Sequence, residues 1–183
     1  VGGIVSERLA QISVKSEEIK LSANKVESRF TSDLSLQKIE LQGQISDVSS
    51  SLKGFQDTVE TSFRDGIIDE TEKKILKERI EQLEKEKLDV DTKYSDIYSN
   101  QYLIEPYKTN LKDKYDDYTS KHEELKTKTL EVIEMEKITD VDMINIKTLF
   151  NNYSSSLAVF SSYLNTSLDV ITTGKTNEEL LKV

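Results

Sequence analysis

Apolar residues recur at alternating gaps of four and three along most of this chain, a spacing that belongs to amphipathic α-helices. The clearest run is Leu41, Ile45, Val48, Leu52, Phe55 and Val59. Upstream, Ile12, Ser16, Ile19, Ala23, Val26 and Phe30 keep the same alternation, one residue out of phase across Asp33-Leu34. A helix gathers such positions into one narrow seam, the kind through which coiled coils pair. The rest of this segment is rich in Ser, Gln and Glu, so the seam cannot cover itself. Residues 1–63 are therefore expected to self-associate as a coiled-coil stalk, with Leu41, Ile45, Val48, Leu52, Phe55 and Val59 as the oligomer interface. Fully helical, residues 4–63 would span about 90 Å.

A second pattern competes in the same region. "ISV" (Ile12–Val14), "IKL" (Ile19–Leu21), "LSL" (Leu34–Leu36) and "IEL" (Ile39–Leu41) alternate apolar and polar, as half-buried strands do. "EEIKLSA" and "QKIELQG" form a faint repeat about twenty residues apart. Short β interruptions of the stalk are the alternative these stretches leave open.

Composition agrees with long helices: among 183 residues there are a single Pro, six Gly and no Trp, with 36% hydrophobic and 32% charged residues. A net charge of −9 without a basic run disfavours a nucleic-acid partner. No stretch approaches the roughly 20 apolar residues of a membrane span. Without cysteine there is no disulfide, thiolate metal site or thiol nucleophile. The opening "VGGIVSERLA" has neither an initiator Met nor a signal-peptide pattern, so the chain is expected to be a piece of something longer.

The helical pattern is cut at "TSFRDGIIDETEKKIL" (Thr61–Leu76), where Asp65, Gly66, Ile68, Asp69 and Glu72 match the second half of a calcium loop. If Gly66 takes loop position six, position three is Phe63, which has no oxygen to coordinate calcium. Asp65-Gly66 reads instead as a turn, with Asp69 as a helix N-cap and Glu72 closing a capping box.

Three further stripes follow. Leu76, Ile80, Leu83, Lys87, Val90, Tyr94 and Ile97 predict a helix over about 70–98. Leu111, Tyr115, Tyr118, His122, Leu125, Thr129 and Val132 predict a second, opening near Pro106 and ending near Glu136. Ile146, Phe150, Tyr153, Leu157, Phe160, Leu164, Leu168 and Ile171 predict a third, capped at Thr139 or Asp140 and stopped at Gly174. "TNEELL" (Thr176–Leu181) carries another capping box, as though opening a next element. The expected fold is all-α: a stalk over 1–63, an antiparallel three-helix bundle over 64–173, and a linker or new element over 174–183.

No catalytic constellation emerges from the residues. His122 is the only histidine and sits on a core stripe, and Asp116-Asp117 and Glu123-Glu124 read as solvated helix charge. Neither a metal set nor a cofactor motif is present. The tyrosines are the unusual feature: Tyr94, Tyr98, Tyr102, Tyr107, Tyr115 and Tyr118 crowd the ends of two helices. They fill the end of the bundle or form a candidate docking patch for saccharide or protein.

"DGIIDETEKKILKERIEQLEKE" (Asp65–Glu86) resembles the Asp-Gly-x-Ile-x-x-x-Glu-Lys-x-x-Leu opening of helical modules in tail proteins of phages and prophages of Gram-positive bacteria. "INIKTLFNNYSSSLAVF" (Ile144–Phe160) is similar to the third helix of those modules, and "SEEIKLSANKVESRF" (Ser16–Phe30) to their connecting repeats. The resemblance extends over nearly the whole chain and carries no catalytic residue. It implies a non-enzymatic structural part of a tail tip, tail fibre or baseplate, located in the virion. It also implies a homotrimer, with other tail proteins and a host cell-surface glycan as further partners in adsorption. A receptor- or glycan-binding module, a cellular coiled-coil adaptor and an enzyme centred on His122 are the competing classes.

Overall fold

The computed structural model describes residues 2–183, and the described chain is all-α. Four helices follow one another: α1 (Gly2–Ser62), α2 (Glu70–Tyr98), α3 (Tyr107–Ile133) and α4 (Asp140–Leu180). Residues Ser6–Leu41 are helical throughout, so the strand alternative for "ISV", "IKL", "LSL" and "IEL" is set aside. Each of those alternations is only three residues long, whereas the four-three stripe runs through them, and the longer period wins.

The helices form an up-down-up-down bundle in which sequential neighbours are antiparallel. Lys93 of α2 reaches Glu40 of α1 at 3.6 Å, while Ser51 meets Glu86, so α2 runs back along α1. Phe55 packs edge-on against Phe150 with ring centres 5.0 Å apart, and Lys38 pairs with Asp169 at 2.7 Å, so α4 also runs against α1. Tyr118 against Tyr153 and Lys128 near Asp142 fix α3 antiparallel to α4.

This arrangement corrects two expectations. The bundle has four helices rather than three, because the C-terminal half of α1 belongs to it. The seam Leu41, Ile45, Val48, Leu52, Phe55 and Val59 is buried by α2 and α4 of the same chain, with Leu41, Val48 and Phe55 wholly inaccessible. Sister chains are not needed to cover it. The boundary at 63/64 therefore falls inside one packed unit, and what projects from the bundle is the N-terminal part of α1. Residues 2–22 of that arm are exposed along their whole length.

The joints follow the local chemistry. Asp69 caps α2 through the Glu72 N–H at 2.7 Å, and Glu72 accepts from the Asp69 N–H in return. Thr139 and Asp142 make the same box at the start of α4. Gly66 has φ +76°, and its carbonyl accepts from the Ile138 N–H at 2.9 Å, which ties the α1–α2 joint to the α3–α4 joint at one end of the bundle. A side chain is disfavoured in that left-handed conformation. Gly66→Ala is expected to lower unfolding free energy by about 1–2 kcal/mol, measured by urea denaturation.

Two helix ends lie elsewhere than the sequence indicates. α3 stops at Ile133, three residues before Glu136. α4 passes through Gly174 and through the whole of "TNEEL" to Leu180, so neither the expected C-cap nor the second capping box is used. Glycine inside a helix costs only about 1 kcal/mol. Here its missing side chain admits the Tyr102 ring, whose Cδ1 would lie 3.0 Å from a Cβ on Gly174.

Candidate functional site

The core stripes of α2, α3 and α4 converge on a layer of aromatic and polar side chains at mid-bundle. Tyr118 and Tyr153 are fully buried, with hydroxyls 3.2 Å apart, and the Tyr153 hydroxyl also lies 3.1 Å from His122 Nδ1. Both phenols are pushed well above the ordinary tyrosine value by burial. Burial, reinforced by the nearby Lys87 ammonium, pulls the His122 imidazole below its ordinary value. All three groups are thus neutral near pH 7. Their bonds close if Tyr118 donates to Tyr153 and Tyr153 donates to His122 Nδ1, leaving the ring proton on Nε2 facing Glu84 at 4.0 Å.

A charged pair completes the layer. Lys87, a charged residue on a core stripe, is buried and donates to Asp91 at 2.8 Å. Its ammonium lies 5.3 Å from the Tyr115 ring centre and 5.2 Å from that of Tyr118. Tyr115 donates to the same Asp91 oxygen at 3.0 Å. The cation is therefore enclosed by one carboxylate and two π-faces, which offsets its desolvation.

Among the described residues, Glu84, His122 and Glu123 bring one metal-type ligand atom each within 4.8 Å of one another. Lys126 is bonded to Glu84, and the Lys87 charge is felt at His122. The Lys126 ammonium already occupies the Glu84 carboxylate and the Lys87 charge opposes a further cation at His122, so this donor set fits a metal ion poorly.

The tyrosines named as a candidate patch do not form one surface. Tyr94, Tyr115 and Tyr118 turn inward around the buried Phe160; Tyr94 and Tyr115 stack with ring centres 3.8 Å apart. Burial pushes the Tyr94 phenol up to about 12. Tyr98 is half-buried beneath the Lys108 ammonium, 4.6 Å from its ring centre. Only Tyr102 and Tyr107 line an open cleft of about 520 Å³ between the α2–α3 connection and α4, with Thr166 and Val170 as its far wall. Tyr102 also donates to Glu178, a bond that raises its phenol above the usual value. Tyr163 adds a third ring in the adjoining hollow, which shares Tyr107 and Thr166 with the cleft. Sequence reasoning did not single out Tyr153 or Tyr163 because neither lies in the α2–α3 cluster. In the sequence Tyr153 is one more position of the α4 core stripe.

Acid is expected to weaken the bundle through His122. Its folded-state value is depressed below the unfolded one, so the unfolded chain binds the extra proton first. The stabilisation is present above the ordinary imidazole value and is lost as pH falls from about 6.5 toward the folded value. Thermal unfolding followed between pH 7.5 and 5 should show this loss, and His122→Gln should flatten it over that window.

The chain matches no protein-family model, no curated protein and no solved structure. Fold and geometry define an all-α four-helix bundle carrying a helical arm.

Proposed function

We propose that the chain is a non-enzymatic structural component of a phage tail tip, tail fibre or baseplate. In this reading the bundle is a spacer or docking platform, and the arm joins it to neighbouring chains in the virion. The observation that carries it is the arm: residues 2–22 of α1 leave the bundle as a bare helix bearing a heptad seam. Val5, Leu9, Ile12 and Ile19 are 47–61% exposed, which leaves an apolar edge in need of a cover. The resemblance at Asp65–Glu86 supplies the tail assignment, and the aromatic-polar layer serves rigidity. Self-association, expected at Leu41–Val59, moves to the arm, and the homotrimer becomes a question about arm packing.

Mass spectrometry of particles induced from the source bacterium tests the reading. Peptides of this chain should co-purify with tails, and an antibody to the bundle should decorate the tail in electron micrographs. Recovery of the chain only from the cytoplasm of induced cells would end it. A second reading, binding of a host cell-surface glycan, is favoured by the Tyr102–Tyr107 cleft. Titration with cell-wall polysaccharide should then give binding that Tyr107→Ala abolishes.

A further inference from the structure

We propose that the arm pairs with the arm of a second copy of this chain, antiparallel, in the register where facing residue numbers sum to 35. This names the partner for the self-association in the reading above and rests on that part of it. The arm needs a cover: a lone helix of this length and polarity is marginal in water.

Side-chain volume chooses the direction. The four-three spacing puts Leu9, Ser16, Ala23 and Phe30 at one seam position (a) of successive heptads. Val5, Ile12, Ile19 and Val26 take the other (d). A parallel in-register assembly stacks each layer on itself, so Ser16 would meet the partner's Ser16 and Ala23 the partner's Ala23. Two successive a layers, with only the Ile19 layer between them, would be holes, and Phe30 against the partner's Phe30 would be crowded. Turning one arm round sets a against d. Ser16 then meets the partner's Ile19, Ala23 the partner's Ile12, Phe30 the partner's Val5 and Leu9 the partner's Val26. The smallest seam residues each face a large one, and the layers even out in volume.

The bundle imposes the same choice. From Phe30 to Leu41 is eleven residues, three helical turns and about 20°. The arm's seam therefore faces the side of α1 that α2 and α4 cover further along. A parallel partner would carry its own α1 into the space those helices hold. An antiparallel partner runs in their direction and ends where they end. The Lys93–Glu40 pair places Tyr98, the end of α2, level with about residue 35, so α2 itself stops short of Phe30. The Lys38–Asp169 pair carries α4 on to about residue 27, in keeping with the half-burial of Val26 and Phe30. The partner arm would thus extend the line of α2. Flanking charge does not choose: the antiparallel register brings Arg8 near the partner's Arg29, and the parallel one brings Lys15 near the partner's Lys20.

The chain has no cysteine, so single substitutions report the pairing directly. Leu9→Cys and Val26→Cys chains are prepared separately, mixed, and oxidised in air. The antiparallel register predicts a disulfide dimer only in the mixture, because equivalent positions lie about 26 Å apart along the axis, beyond disulfide reach. The unsubstituted chain should have the mass of two copies. Ile19→Glu should halve that mass while leaving the helical signal of the bundle in place. Cross-linking of Leu9→Cys with itself, in a dimer or trimer, would overturn the antiparallel pairing yet leave the self-associating stalk standing. A one-copy mass for the unsubstituted chain at high micromolar concentration would remove both.

Discussion

Phe55→Ala is expected to lower the unfolding free energy by about 3–5 kcal/mol without changing how many chains associate. Phe55 is inaccessible to solvent, lies toward the C-terminal end of the seam of α1, and meets Phe150 edge-on at 86° between ring planes. Truncation removes most of a buried ring and leaves a cavity that α2 and α4, tied at both ends, cannot close. Against a typical total stability of about 5–15 kcal/mol this is a large fraction. Urea denaturation of bundle signal at two protein concentrations tells the intrachain seam from an interchain one. With the seam covered by its own chain, the loss is the same at both concentrations. Had Leu41–Val59 been an oligomer interface, the denaturation midpoint would climb with concentration and Phe55→Ala would steepen that dependence. Ile39→Ala is the matched control. Ile39 is 69% exposed on the opposite face, and its loss should stay within about 0.5 kcal/mol.

That contrast also explains what could and could not be read from residues alone. A four-three seam specifies which face is covered but not whose helix covers it. Leu41–Val59 therefore looked the same as an oligomer interface and as a bundle stripe. The deciding signal was local: Asp65-Gly66 with the Asp69–Glu72 box makes a joint as tight as the one at Thr139, and a tight joint returns α2 onto α1. The stripe of α2 was legible to the residue, Lys87 included, and that of α4 in all its apolar members though not in the buried Ser156 and Ser167, because each follows one period over six or seven turns. The tyrosines separated along the same line. Tyr94, Tyr115 and Tyr118 lie on core stripes and turn inward, whereas Tyr102 and Tyr107 lie off them and reach the cleft. Gly174 was misleading because its value is tertiary: the Tyr102 ring, 72 residues away in sequence, is what needs the space. The hydroxyl network was invisible for a similar reason, since Tyr118 and Tyr153 meet only once α3 and α4 are aligned.

Tyr153→Phe is expected to cost about 1–3 kcal/mol, and Tyr153→Ala about 3–5 kcal/mol. The first change deletes one oxygen from a fully buried ring. That oxygen is the shared partner of the Tyr118 hydroxyl and of His122 Nδ1. His122 is only 4% exposed, so water does not readily replace the lost bond. Two polar groups are left unsatisfied by one substitution, which is why the loss should exceed that of an ordinary hydroxyl deletion. Tyr118→Phe provides the comparison. The Tyr118 hydroxyl is bonded to Tyr153 alone, so its removal leaves Tyr153 still able to donate to His122 and should cost less. In the Tyr118→Phe, Tyr153→Phe double variant the two losses should fall short of their sum, because the shared bond can be removed only once. Equilibrium denaturation of the four proteins at pH 7.5 supplies the cycle. Equal stability of Tyr153→Phe and the unsubstituted chain would mean that the rings alone hold this layer and that the hydroxyls contribute nothing to it.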